Sequence, residues 1–167
     1  LIIQGTVKLD TSDELANLYQ IARRAKDANN CENAYRYYDM ILIKDPDSWE
    51  ATFYVTYYQA MQCTIENISS AAYSICNCEE QVLDLIKTNV EKERQRNILQ
   101  EIYEQLASIS SMFFNAAKDY YESIDTEIQN DYLQEYINNA SASADVMYSL
   151  GNLVISKFGN EYGSIAS

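Results

Sequence analysis

Large and small side chains between Leu15 and Ser48 follow the spacing that two interlocking antiparallel helices require. Ala22 and Ala34 stand where the helices would cross, and their small side chains allow the two backbones to approach closely. Pro46 ends the second helix, because it has no N–H to donate and disfavours the helical conformation in the residue before it. The segment therefore predicts a helical hairpin.

The same segment resembles a tetratricopeptide repeat, a helix–turn–helix unit of about 34 residues. The positions that match the repeat signature are Leu18, Ile21, Ala22, Ala34, Tyr38 and Pro46. Two positions depart from it, since Ala25 stands where Tyr is usual and Ile41 where Ala is usual. A generic hairpin with chance spacing is the alternative interpretation. The resemblance implies a scaffold that binds a protein or peptide.

A second unit begins in register at Trp49 and has an aromatic first helix. Asp47 and Glu50 have the spacing of a capping box, which predicts a helix start at this point. The following stretch, Ile65 to Val90, loses the repeat pattern. Because a solenoid needs about three repeats to bury a continuous core, we expect the C-terminal half to complete the fold.

Three long stretches of the C-terminal half carry apolar residues at steps of three and four, which is typical of helices. They run from Ile65 to Val90, from Leu99 to Ile124 and from Ile128 to Phe158. Thr126 and Gln129 have capping-box spacing in front of the third. Its expected apolar face comprises Ile128, Tyr132, Tyr136, Ala140, Ala144, Met147, Val154 and Phe158. Short connections between such helices favour an antiparallel bundle.

Four Gly and one Pro in 167 residues also favour long uninterrupted helices. We predict an all-α fold of repeat-like helical hairpins followed by long antiparallel helices. The expected helices are 12–29, 31–44, 48–63, 66–88, 91–125 and 127–158. The expected organisation is an extended linker over 1–10, repeats over 11–64, and a bundle over 65–167 that packs on the repeats as one domain.

The chain contains no His, so it lacks the commonest general base and the commonest metal ligand. It also has no Gly-rich phosphate loop and no Asp-rich calcium loop. The sequence therefore predicts a protein that is not an enzyme and that has no cofactor, no metal site and no catalytic residue.

The four cysteines are Cys31, Cys63, Cys76 and Cys78, and none of them forms a C-x-x-C pair. On a helix, Cys76 and Cys78 would project about 200° apart, so they cannot easily share a metal ion or a disulfide. An even number permits two bridges, but we expect free thiols, which are typical of the reducing cytoplasm.

A formal net charge of −13 argues against nucleic acid or an anionic membrane as a partner. No apolar run approaches the roughly 18 residues of a membrane span. Four bases cluster in the first repeat: Arg23, Arg24, Lys26 and Arg36. They could receive an acidic or carboxylate-ended peptide, or they could be ordinary solvated helix faces.

By resemblance to the repeat family, ligand-facing residues lie on the concave side of each first helix. The matching positions are Tyr19, Arg23, Lys26, Phe53 and Tyr57. Tyr19 and Arg23 replace two members of the family's Lys/Asn carboxylate clamp, which weighs against a C-terminal carboxylate ligand. The aromatic rings and Arg23 are still expected to hold an extended peptide by stacking and paired hydrogen bonds.

The stretches 22–26, 37–46 and 48–54 further resemble bacterial tetratricopeptide proteins of unassigned function, in which a short zinc ribbon often precedes the helices. The cysteines here do not have ribbon spacing. If the resemblance holds, Leu1 to Asp10 would be the end of the linker that follows the ribbon. The resemblance implies an adaptor.

Fifteen Tyr residues support a competing interpretation, because Tyr is enriched at protein interfaces and exceeds what one small core needs. The chain could instead be a structural protein that self-assembles into a homo-oligomer through apolar surface left on its long helices.

Overall fold

A computed structural model describes residues 11–162, and this part of the chain has six α-helices and no strand, as the sequence predicts. The helices are α1 Thr11–Asp27, α2 Cys31–Lys44, α3 Trp49–Met61, α4 Ile68–Asn89, α5 Lys92–Ser123 and α6 Leu133–Phe158. Short 3-10 turns occur at Ile65–Asn67, Gln129–Tyr132 and Asn160–Tyr162. The expected linker over 1–10 lies outside the described residues.

The first hairpin packs around the small residues that the sequence indicated. Ala22, Ala34 and Tyr38 have no exposed surface, and Leu18 is also buried. Ile21 departs from its expected core position and is 39% exposed. The reason is that α2 is the one helix that packs extensively on α1, which leaves the edge of α1 open in the described residues. Pro46 is exposed in the turn that follows α2.

The cap of α3 differs from the prediction. Ser48 is the N-cap, and its Oγ accepts a hydrogen bond from the Ala51 N–H at 3.1 Å. The expected capping box of Asp47 and Glu50 is therefore wrong. Glu50 instead turns inward, where Tyr38 and Arg23 bind its carboxylate.

The C-terminal helices run up, down and up, so that successive helices are antiparallel, as predicted. Ser69 near the start of α4 contacts Asn139 near the start of α6, and Asp84 near the end of α4 contacts Lys157. Helices α4 and α6 are therefore parallel neighbours. Helix α5 runs against α6, because Tyr121 near the end of α5 stacks on Tyr136 near the start of α6, and Ser110 bonds to Ser143 further along.

Helix α6 begins later than predicted, and its buried face is shifted around the helix from the predicted one. Thr126 and Gln129 do not cap it, since Gln129 Nε2 donates to the Tyr121 carbonyl at 3.0 Å and a 3-10 turn follows. The buried residues are Asn139, Ser143, Val146, Leu150 and Val154, whereas the predicted position Ala144 is exposed. Val154 belongs to both faces, and Tyr136, Met147 and Phe158 are partly buried against the core, so the buried face is shifted by about half a residue, or roughly 50°, from the predicted one.

Polar side chains can lie on this buried face because each has a hydrogen-bond partner: the Ser143 hydroxyl donates to the Asn139 carbonyl within α6 at 2.7 Å, and Asn139 bonds to residues outside it. Asn139 Oδ1 accepts from Ser69 Oγ at 2.7 Å, and its Nδ2 donates to the Ile65 carbonyl at 3.3 Å. Ser110 Oγ donates to the Ser143 carbonyl at 2.6 Å. A buried polar group with partners costs little, so α6 can turn two polar residues inward and leave apolar ones outside.

The buried side chains of all six helices belong to one continuous core. Within it, Tyr54 of α3 stacks with Tyr38 and Tyr58, and it meets Phe53 and Tyr57 edge to face. Within residues 11–162, no helix is both long enough and apolar enough to cross a membrane.

Candidate functional site

Two of the predicted peptide-binding residues are not accessible. Phe53 is 4% exposed and Tyr57 is 5% exposed. Ile75 of α4 and Leu106 of α5 pack over them and leave a space of only about 10 Å³. The expectation that these two rings lie on an open concave face is therefore wrong: the side of α3 that carries them is covered by the chain's own helices.

Arg23 and Tyr19 bind partners within the fold. The Arg23 guanidinium donates to the Glu50 carboxylate through Nε at 2.9 Å and through Nη2 at 2.6 Å. The Tyr38 hydroxyl donates to the same carboxylate at 2.8 Å. The guanidinium also lies 5.1 Å from the centre of the Tyr19 ring. The Tyr19 hydroxyl lies 2.5 Å from Ser48 Oγ, and burial is the main reason that its pKa is raised to about 12.

Lys26 joins the first hairpin to α5. Its Nζ lies 2.6 Å from Glu101 Oε1 and 4.7 Å from the centre of the Tyr54 ring. The Tyr54 hydroxyl donates to the same Glu101 oxygen. Burial acts to raise the pKa of Glu101, but the hydrogen bonds from Lys26 and Tyr54 hold that pKa below its ordinary value. Phe53 and Tyr57 are thus buried, while Tyr19, Arg23 and Lys26 bind Ser48, Glu50 and Glu101, and about half of the Arg23 side chain remains exposed.

An open groove lies instead between α4 and α6. Tyr73 of α4 is 68% exposed and Tyr148 of α6 is 72% exposed, and both line a groove of about 360 Å³. Its other lining residues are mostly small: Ser69, Ala72, Cys76, Ala142, Asp145 and Ser149. Asp145 is the one acid among them, and no Lys or Arg lines the groove. We call this surface the tyrosine groove.

Apolar residues continue the tyrosine groove along the outside of α6. Ile137 and Ile155 are about half exposed and stand 11 residues before and seven residues after Tyr148. These separations are close to three turns and two turns of helix, so the three side chains project from one face. That face carries large apolar side chains that no described helix covers.

A buried acid sits on the inner side of α4. Glu79 is 3% exposed, and neither of its carboxylate oxygens has a hydrogen-bond partner in the described part of the chain. It lines a small cavity together with Phe53, Tyr57 and Leu106. Burial raises the pKa of Glu79 to about 8, although the nearby Ser149 hydroxyl acts to lower it, so the side chain is mostly neutral at pH 7.

The four cysteines are free thiols. Burial, followed by the charges of Glu79 and Asp145, raises the pKa of Cys76 to about 11, so this thiol in the tyrosine groove stays protonated and is a weak nucleophile. Across residues 11–162, no group of three or more Cys, Asp or Glu side chains is placed to hold a metal ion.

Comparisons with known proteins identify no relative of this chain. No protein-family model matches the chain, and no curated protein and no solved structure resembles it significantly.

The sequence reasoning missed Tyr73, Tyr148 and Asp145. A signal was present for the first, because Tyr73 falls outside the apolar stripe of its helix, where Ala72 and Ile75 are buried. A large aromatic residue that falls off the buried stripe of an amphipathic helix must face outward. For Tyr148 the signal was hidden, since the predicted stripe of α6 ran through the neighbouring Met147.

Proposed function

We propose that this protein is a non-enzymatic interaction module of the tetratricopeptide type, which binds a segment of another protein in the tyrosine groove between α4 and α6. The observation that carries this proposal is the exposure of Tyr73 and Tyr148 on either side of a cavity with a floor of small side chains.

Two physical arguments support this location. Exposed aromatic rings beside a concave apolar surface are typical of binding sites, where a Tyr ring gives much contact area at low conformational cost. Contacts at the centre of such a site dominate binding energy when a pocket allows the partner's side chain to be fully buried. A groove of about 360 Å³ is large enough for one or two partner side chains.

The proposed site differs from the one that the repeat resemblance implies. A peptide on the concave side of α1 and α3 would have to displace α5 from Phe53 and Tyr57, and it would have to break the contacts of Arg23 with Glu50 and of Lys26 with Glu101. A partner in the tyrosine groove breaks none of these contacts.

Panning a random displayed peptide library against the immobilised protein tests the proposal. We expect enriched peptides to bind the wild type and to lose binding to Tyr73→Ser/Tyr148→Ser. The matched control is Phe114→Ser/Tyr120→Ser, which removes two exposed rings from α5 and should leave binding unchanged. Peptides that bind the groove variant as well as the wild type, or a library that yields no binder, would refute the proposal.

Self-assembly is the second candidate function, and the aligned face of Ile137, Tyr148 and Ile155 favours it. The net charge of −13 on each copy opposes it, because two like-charged molecules repel at close range. Light scattering at several concentrations decides between the two. We expect a monomer. A dimer that Ile137→Ser/Ile155→Ser dissociates would support self-assembly instead.

A further inference from the structure

We propose that the tyrosine groove accepts a lysine or arginine side chain from a basic segment of the partner, held between the Tyr73 and Tyr148 rings and paired with Asp145. This inference rests on the proposed function and adds the chemistry of the partner.

The groove has the parts that recognition of a cation requires. Among the described residues, Tyr73 and Tyr148 contact no other aromatic ring. No described cation lies over their faces, whereas Arg23 lies over Tyr19 and Lys26 over Tyr54. The face of an aromatic ring attracts an ammonium or guanidinium group, and the attraction increases as water is removed from the contact. Small side chains form the floor of the groove, which leaves room for an alkyl stem between the rings.

Asp145 supplies the opposite charge. It is exposed at the groove, and it takes part in none of the ion pairs formed by the described residues. Lys157 is the one base on α6, and its Nζ already binds Asp84 at 2.5 Å and Glu80 at 3.5 Å. Lys157 therefore pairs with two acids of α4, and Asp145 forms no ion pair within the described residues.

Charge also selects a basic segment over other occupants. The chain carries 25 acids against 12 bases, so its field attracts a positively charged segment and repels a second copy of itself or a nucleic acid. A basic peptide is complementary in charge both to the acidic protein as a whole and to Asp145 in the groove.

The experiment uses the whole chain and a short lysine-containing peptide, and it measures affinity by titration calorimetry at about 0.15 M salt, where charges beyond about 8 Å are screened. We expect Asp145→Asn to weaken binding about tenfold, since a charge-assisted hydrogen bond is lost. The matched control is Glu32→Gln, which removes an equal charge from α2, a helix that packs on neither α4 nor α6; it should change affinity less than about twofold.

The ring contribution has its own variants. Tyr148→Phe keeps the aromatic face and should bind within about twofold of the wild type, whereas Tyr148→Leu keeps apolar area without the ring and should bind about threefold to tenfold more weakly. Equal binding by the Leu and Phe variants would overturn the contact between the ring and the cation.

Two further ligands test the class of partner. The same peptide with norleucine in place of lysine should bind at least about tenfold more weakly, and equal affinity would show an apolar groove with no cation site. Free spermidine should bind much more weakly than the peptide; equal affinity with the same dependence on Asp145 would assign the groove to a small polyamine. Library peptides that require Tyr73 and Tyr148 but carry no base would preserve the proposed function and refute this inference alone.

Discussion

Burial of Glu79 makes a quantitative prediction about how stability depends on pH. Its pKa is about 8 in the fold and 4.5 for the ordinary side chain. Between these values the folded protein keeps a proton that the unfolded chain has lost. The free energy of unfolding should therefore fall as the pH rises through this window, by up to about 1.4 kcal/mol for each pH unit. Above the folded pKa the loss is complete.

The substitution Glu79→Gln removes the titrating proton and keeps the shape of the side chain. Relative to wild type, the variant should gain about 2.5 kcal/mol between pH 5 and pH 7, because the wild type alone weakens over that range. The neighbouring titratable groups Cys76 and Cys78 have raised pKa values and do not titrate there. The repulsion among the exposed acids is common to both proteins and cancels in the difference.

Urea unfolding followed by the fluorescence of Trp49, the one Trp in the chain, measures this difference at pH 5, 6 and 7. Glu79→Leu extends the test, since an apolar side chain of similar size needs no hydrogen bond among Phe53, Tyr57 and Leu106. It should be more stable than the wild type at pH 7. Parallel stability curves for wild type and Glu79→Gln would show that Glu79 is ionised or solvated in the fold, and the reasoning would fail.

Two more substitutions test how the helices pack. Asn139→Ala removes the bonds to Ser69 and to the Ile65 carbonyl and should lower the free energy of unfolding, measured in urea, by about 1–3 kcal/mol. The control, Asn138→Ala on the exposed side of α6, should cost little. Equal losses of stability in the two variants would contradict the polar contact between α4 and α6. Ala34→Leu should overpack the first hairpin and lower the free energy of unfolding by about 1–3 kcal/mol, with Ala16→Leu on the exposed side of α1 as the control. An unchanged melting temperature for Ala34→Leu would argue against the close crossing.

Local patterns in the sequence were enough to predict the helices and the first hairpin. Ala22, Ala34 and Tyr38 are buried because the spacing of small and large residues fixes how two adjacent helices interlock. The ends of α2 were also predictable, since Pro46 stops a helix by its own covalent structure.

The orientation of the later helices could not be read from local pattern alone. Helix α6 turns Asn139 inward, where its side chain bonds to Ser69 and to the Ile65 carbonyl, and those partners come from distant parts of the chain. A period of apolar residues cannot anticipate a hydrogen bond across 70 positions, so the predicted face was off by about half a residue.

The candidate site depended on the same long-range packing. The sequence determined that aromatic and charged residues lie on the first helices, but the tertiary structure decided that α5 covers Phe53 and Tyr57 and that Glu101 takes Lys26. Whether a side chain faces a ligand or the core depends on which helix comes to lie over it. That choice is made by the total apolar area buried across the whole chain and is not encoded at any single position.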